Sequence, residues 1–217
     1  RYRRITSIGV VCADPMGSVE ILRLLSRHNL PFEIVRADAL QSENLKKFAL
    51  IVALDPLTPA HVGPLAAFAK NGGTVVLNGP AQGVQWEGAV ELAKSERHVG
   101  YRFGDGRVLE WIDPVAGPDE FALDMREALG PDKRVVDVWN GITVLIAPYE
   151  DPAGETVLVT AVNYAHDPVP VQVRVKGTFS QGFYESPESA PALLPLRHRN
   201  GFTEVVLPDL RVGARVF

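Results

Sequence analysis

Leu50-Ile51-Val52-Ala53-Leu54-Asp55-Pro56-Leu57-Thr58-Pro59, continued through Phe68-Ala69-Lys70-Asn71-Gly72-Gly73 to Thr74-Val75-Val76-Leu77, is the stretch on which the fold is read. Residues 49–54 are apolar at every position, the pattern of a parallel strand buried on both faces. Thr58 stands where an N-cap belongs, Pro59 takes the first helical position, and Val62, Leu65, Ala66 and Ala69 make one apolar stripe. Asn71-Gly72-Gly73 supplies the left-handed stop, and 74–77 is a second buried strand.

The same grammar extends in both directions. Residues 5–12 read as a strand broken by Ala13-Asp14-Pro15-Met16-Gly17; Ser18 can cap a helix to about residue 28, which Asn29 stops, and 32–35 is strand again. A hairpin is expected over 101–103 and 107–111 around Gly104-Asp105-Gly106, then a helix over 119–129. Short strand and helix units in alternation imply a parallel sheet with helices on both faces, because parallel neighbours need crossovers. Past Gly130-Pro131 the period changes from 3.6 to 2: Val171, Val173 and Val175 alternate with Gln172, Arg174 and Lys176. Runs at 135–139, 143–147, 157–163, 169–175, 182–185 and 202–207, with no helix signal between them, predict a small antiparallel β-sandwich. Two domains are expected, 1–130 and 131–217.

Composition narrows the classes of function. The 217 residues, 46% hydrophobic and 22% charged, are enough to bury a core. With 22 Lys+Arg against 26 Asp+Glu and no basic block, the footprint of a phosphate-backbone binder is missing, so nucleic acid is not expected as a partner. No apolar run approaches the ~20 residues that span a bilayer, so no membrane partner is expected and a soluble chain, with the cytoplasm favoured, is. The single Cys12 excludes an intrachain disulfide and a Cys-rich zinc pattern. The chain does not begin with Met, which suggests a processed product or a piece of a longer protein.

Candidate chemistry is sparse. Cys12 closes the first strand, at the edge where open α/β sheets place ligands, but a nucleophile needs a His partner and His28, His61 and His98 lie at no diagnostic spacing from it. A small buried hydrophobe is the commoner use of such a residue. Gly17-Ser18 opens a helix as an anion site would, without either phosphate-loop motif. There is no nucleophile elbow, and neither H-x-H nor H-E-x-x-H, so no metal and no cofactor are expected. Asp14, Asp38, Asp55 and Asp113 follow strands, and spacing does not tell whether any two of them face each other as a glycosidase pair must; solvated loop carboxylates are the commoner case. Trp86, Trp111, Trp139 and Tyr184 could stack on sugar rings if exposed in a row; core packing explains them as well.

The 50–59 and 68–77 stretches resemble the class I glutamine amidotransferase-like domain of family 42 β-galactosidases and related glycoside hydrolases, called the trimerisation domain there. Phe103-Gly104-Asp105-Gly106-Arg107-Val108-Leu109 resembles the G-K-G-R-V segment of such domains, with Asp105 in place of Lys. Val162-Asn163-Tyr164-Ala165-His166-Asp167-Pro168 and the ending Leu210-Arg211-Val212-Gly213-Ala214 resemble their terminal β-sandwich. The resemblance implies a parallel flavodoxin/amidotransferase-like sheet with helices on both faces, followed by that sandwich. In true amidotransferases the strand after this helix leads into a turn bearing the nucleophilic Cys, whereas here it reads Leu77-Asn78-Gly79-Pro80.

Glycosidase carboxylates belong to a (β/α)8 barrel of ~250 residues, for which this chain has no room. The expectation is a non-catalytic accessory or assembly region of a glycoside hydrolase-like protein. Its partners would be an N-terminal catalytic barrel or like subunits in a homo-oligomer. A carbohydrate-binding module is the second reading, and a small hydrolase using Cys12 the third. The carboxyl-edge crevice should gather Asp14, Asp55, Asn78 and Gln82 as weak ligand-binding residues.

Overall fold

The computed structural model describes residues 2–81, 84, 86–113, 115, 117–155 and 157–216. Elements run β1 (Arg3–Arg4), β2 (Ile8–Val11), α1 (Val19–Arg27), β3 (Phe32–Val35), α2 (Ser42–Leu45), β4 (Leu50–Ala53), α3 (Pro59–Lys70) and β5 (Thr74–Leu77). Then come β6 (Val90–Lys94), β7 (His98–Phe103), β8 (Gly106–Trp111), α4 (Pro118–Leu129), β9 (Val136–Trp139), β10 (Val144–Glu150), β11 (Val157–Asn163) and β12 (Val169–Lys176). The last are β13 (Phe183–Ser186), β14 (Ser189–Leu193), β15 (Arg197–Arg199), β16 (Phe202–Leu210) and β17 (Gly213–Val216). The chain divides into two compact units, one of Thr6–Leu24 with Phe32–Lys133, the other of the residues up to Ile5, Leu25–Pro31 and the residues from Arg134 on.

The first unit is built on a seven-stranded sheet, β3-β2-β4-β5-β8-β7-β6. β3, β2, β4, β5 and β8 pair in parallel, and β7 and β6 turn back antiparallel. Every residue of β2, β4 and β5 is buried, which is what their unbroken apolar runs require. Leu65, Phe68 and Ala69 of α3 enter the core formed with Ile51, Val75, Leu77 and Val108. The turn at Gly104 has φ +63°, and its backbone runs against the C-terminus of α3: Asp105 N–H donates to Lys70 O at 3.1 Å and Arg107 N–H to Gly73 O at 3.1 Å. A Cβ on Gly106 would collide with the carbonyl oxygens of Ala69 and Gly73.

The second unit has two sheets, β1-β10-β11-β17-β13-β14 and β15-β16-β12-β9, with every pairing antiparallel. Val171, Val173, Val175, Val205 and Leu207 from one sheet and Val144, Val159, Ala161 and Val216 from the other share one core. Asn163, 4% exposed, closes an end of this core by donating from Nδ2 to Asp167 O (2.9 Å) and Leu210 O (3.0 Å) and accepting at Oδ1 from the Thr143 hydroxyl (2.9 Å).

The expected fold class is corrected by this arrangement. The chain is mainly β, with four α-helices against three sheets among the described residues, and the expected helix-flanked parallel flavodoxin/amidotransferase-like sheet is not what these elements form. Helical cover is thin in two of the links between parallel strands. Only a 3-10 turn and the four-residue α2 lie between β3 and β4, and the link from β5 to β8 carries the antiparallel pair β6 and β7. The amidotransferase-like resemblance rested on a strand, capped helix and Gly-Gly turn, a local grammar that fixes the three elements and leaves the rest of the sheet open. With it goes the trimerisation domain as a description of this unit. No described helix is long and apolar enough to cross a membrane.

Candidate functional site

The carboxyl ends of β2, β4 and β5 bring the loops after them side by side, and three of the four sequence-selected residues meet there. Asp14 Oδ1 accepts the Met16 N–H at 3.0 Å, and its carbonyl accepts the Ser18 N–H at 3.3 Å, so Asp14 folds the turn that starts α1. Asp55 Oδ2 accepts a short hydrogen bond from the Ala13 N–H, joining the loop after β4 to that after β2. Asn78 continues the series: Nδ2 donates to Leu54 O at 3.2 Å, and Oδ1 accepts the Val115 N–H at 2.8 Å. Gln82 lies outside the described residues. Each of the three side chains spends at least one polar atom on backbone, which holds the loops in place.

Cys12 is 3% exposed, and its thiol donates to the Ser18 hydroxyl at 3.4 Å. A serine hydroxyl is no base for thiolate formation, so this pair lacks the orienting His–carboxylate arrangement of a nucleophile. Iodoacetamide is expected to label Cys12 only after denaturation; labelling of the native chain at the rate of a free thiol would contradict the burial.

Two charged residues that the sequence reading passed over stand out, Glu110 by strand register and Asp124 by its place on α4. Glu110 of β8 pairs with Leu77, one residue before Asn78, and its Oε1 accepts the Trp86 indole N–H at 2.6 Å. Burial pushes the Glu110 carboxyl up, opposed by the Trp86 hydrogen bond. Burial raises the Tyr101 phenol as well, helped by the charges of Glu110 and Glu91. On the β7–β8 side, Asp124 of α4 lines a cavity of about 510 Å3. Its Oδ1 accepts from Arg97 at 2.6 Å, while Oδ2 is buried with no hydrogen-bond partner among the described residues. Burial raises this carboxyl too, against the charges of Arg97 and His98. His98 stacks on Trp111 at 4.8 Å and Trp111 meets Phe121 edge-on at 5.3 Å, so this cluster packs α4 against the hairpin.

The Glu110 shift has a sign that can be measured. A carboxyl whose folded pKa lies above its unfolded one favours the fold at low pH. That contribution is lost as pH rises from the ordinary carboxylate range through the raised value. Glu110→Gln keeps an acceptor for Trp86 and removes the charge. Its melting temperature relative to the parent is therefore expected to rise between about pH 4 and about pH 7. A difference that stays constant over this range would show Glu110 to be as solvated as in the unfolded chain.

Among the described residues no group of three His, Cys, Asp or Glu side chains is placed to hold a metal ion. The four aromatic candidates are not in a row: Trp111 and Tyr184 are buried at 5% and 6%, Trp86 is committed to Glu110 and Phe103, and Trp139 alone of the four is exposed, at 38%.

Against known proteins, no protein-family model matches the chain, and no curated protein matches it in sequence. Solved structures do match in fold. An α-L-fucosidase, isoenzyme 2 from Paenibacillus thiaminolyticus, aligns over 100% of this chain and 49% of its own at 11% identity, TM-score 0.69. A rhamnosidase from a Novosphingobium species aligns over 99% and 22% at 18% identity, TM-score 0.61. A GH42 β-galactosidase from G. stearothermophilus aligns over 98% and 40% at 12% identity, TM-score 0.58. The chain thus has the fold of a region of glycoside hydrolases and spans under half the length of each.

Proposed function

We propose that this chain is the non-catalytic accessory region of a glycoside hydrolase-like protein, where it supports interdomain or subunit contacts, with a catalytic barrel or like subunits as its partners. The observation that carries the reading is that one fold, across the whole chain, recurs in part of hydrolases named for fucose, rhamnose and galactose. A region common to enzymes for three different sugars is poorly suited to choosing the sugar or cleaving its bond, since both depend on a tailored site. The local chemistry agrees. Asp14, Asp55 and Asn78 are engaged in backbone hydrogen bonds, and the thiol of Cys12 faces a hydroxyl.

The test is direct hydrolysis by the purified chain of the p-nitrophenyl α-L-fucoside, α-L-rhamnoside and β-D-galactoside. Release of nitrophenol at the rate of buffer alone is expected for all three. Saturable turnover that Glu110→Gln or Asp55→Asn abolishes, with the fold intact, would place a catalytic carboxylate in this chain and overturn the proposal.

A further inference from the structure

The geometry points to a binding site for a uronic-acid oligosaccharide on the outer face of the β15-β16-β12-β9 sheet, with Trp139 as the stacking wall and Arg199 as the carboxylate reader. Register defines the face. Val171, Val173, Val175 and Val205 point into the core, so Gln172, Arg174 and Glu204 point out. Trp139 stands directly opposite Gln172, Arg174 opposite both Asp137 and Glu204, and Glu204 opposite Arg197. Trp139, Asn140, Gln172, Arg174, Arg199 and Glu204 line a shallow cavity of about 560 Å3.

Three features suit this cavity to an acidic saccharide. The first is fixed aromatic and guanidinium planes. Arg174 is gripped by Asp137 Oδ2 at 2.6 Å and lies 4.9 Å from the Trp139 ring centre and 4.3 Å from that of Phe202. The exposed part of the Trp139 indole offers a flat apolar surface for the C–H face of a pyranose. The second is charge. Arg174, Lys176, Arg197 and Arg199 share this face with Asp137 and Glu204, on a chain whose net charge is −4. Asp137 is already neutralised by Arg134 and Arg174, whereas Arg199 is exposed and enters no ion pair among the described residues. A planar guanidinium free to take a carboxylate in fork geometry is thus left open.

The third feature is the mixture of partners. Gln172, Asn140 and Glu204 supply amides and an acceptor carboxylate, the groups that read hydroxyls, within the same cavity. Glu204 repels a uniformly acidic ligand, so a peptide of consecutive acidic residues fits less well than a chain that carries hydroxyls beside its carboxylates. From β9 to β15 the site crosses three strand spacings, about 14 Å, which suits an oligosaccharide more than a single ring. The site stands apart from the accessory role proposed above and does not depend on it.

Titration calorimetry and tryptophan fluorescence with trigalacturonate, galactotriose and a poly-glutamate peptide test the inference. Binding of trigalacturonate is expected, with quenching of the exposed Trp139, weakening as salt rises. Galactotriose and poly-glutamate should each bind at least about tenfold more weakly. Arg199→Ala should weaken trigalacturonate at least about tenfold and Trp139→Ala should abolish its binding, both with unchanged melting curves. The inference is overturned by no binding of trigalacturonate at millimolar concentration, by equal affinity for galactotriose or poly-glutamate, or by affinities that neither substitution moves.

Discussion

Replacing Asp137 by alanine is expected to cost the chain about 3–5 kcal/mol, the penalty of leaving buried charge without its partner. Asp137 is 1% exposed at the side chain and takes Arg134 on Oδ1 and Arg174 on Oδ2, each at 2.6 Å, with the two arginines only 14% and 20% exposed. Removing the carboxylate strands both guanidinium groups in a poorly solvated place. Urea unfolding should show the loss as a lower midpoint at unchanged slope. An apolar replacement of the triad, Asp137→Leu with Arg134→Met and Arg174→Met, should recover most of the loss, because it removes the charges along with the partner. A loss below about 1 kcal/mol for Asp137→Ala would mean the three groups interact as a surface pair does.

Gly106→Ala is expected to cost about 3 kcal/mol, at the top of the range for overpacking. The added methyl meets backbone carbonyls of Ala69 and Gly73, which cannot rotate away as a side chain would. Relief requires pulling the β7–β8 turn off the end of α3 and stretching the Arg107 N–H bond to Gly73 O, now 3.1 Å. Gly154→Ala makes the contrasting case: its φ is +73° but a Cβ there meets nothing within 4 Å. That substitution should cost only the conformational strain of about 1–2 kcal/mol. Equal losses at the two positions would refute the close approach as the reason for Gly106.

The 50–77 stretch was legible because its signals are local. β4, α3 and β5 form within it, with Thr58 N–H bonded to His61 Nδ1 at 3.3 Å and Gly72 at φ +93°. Asn29, at φ +54°, ends α1 for the same local reason. What failed was inference from local pattern to sheet. β6 alternates weakly and leaves Val90 and Leu92 exposed at 52% and 57%, so no apolar face announced it. β14 and β15 are exposed at every residue, and β14 contains Pro191, so neither period nor propensity marks them as strands.

The sites divide in the same way. Asp14, Asp55 and Asn78 follow strands, and position after a strand was enough to bring them to one edge. Their use as backbone acceptors and donors depends on which loops lie side by side, which the sequence does not print. Glu110 reads as one charge in a hairpin until β8 is registered on β5. Trp139 reads as one aromatic in a core strand until Gln172 and Arg174 are set across from β9. Period-2 alternation tells which residues share a face of one strand, and only register tells which of them meet across strands.

The most direct test of the accessory reading is the intact mass of the natural protein purified from its source. The account predicts a polypeptide larger than the 23.6 kDa of this chain by at least a barrel of about 250 residues, or a 23.6 kDa chain held in complex with a catalytic partner. A natural protein of 23.6 kDa that carries no partner and hydrolyses glycosides by itself would contradict it.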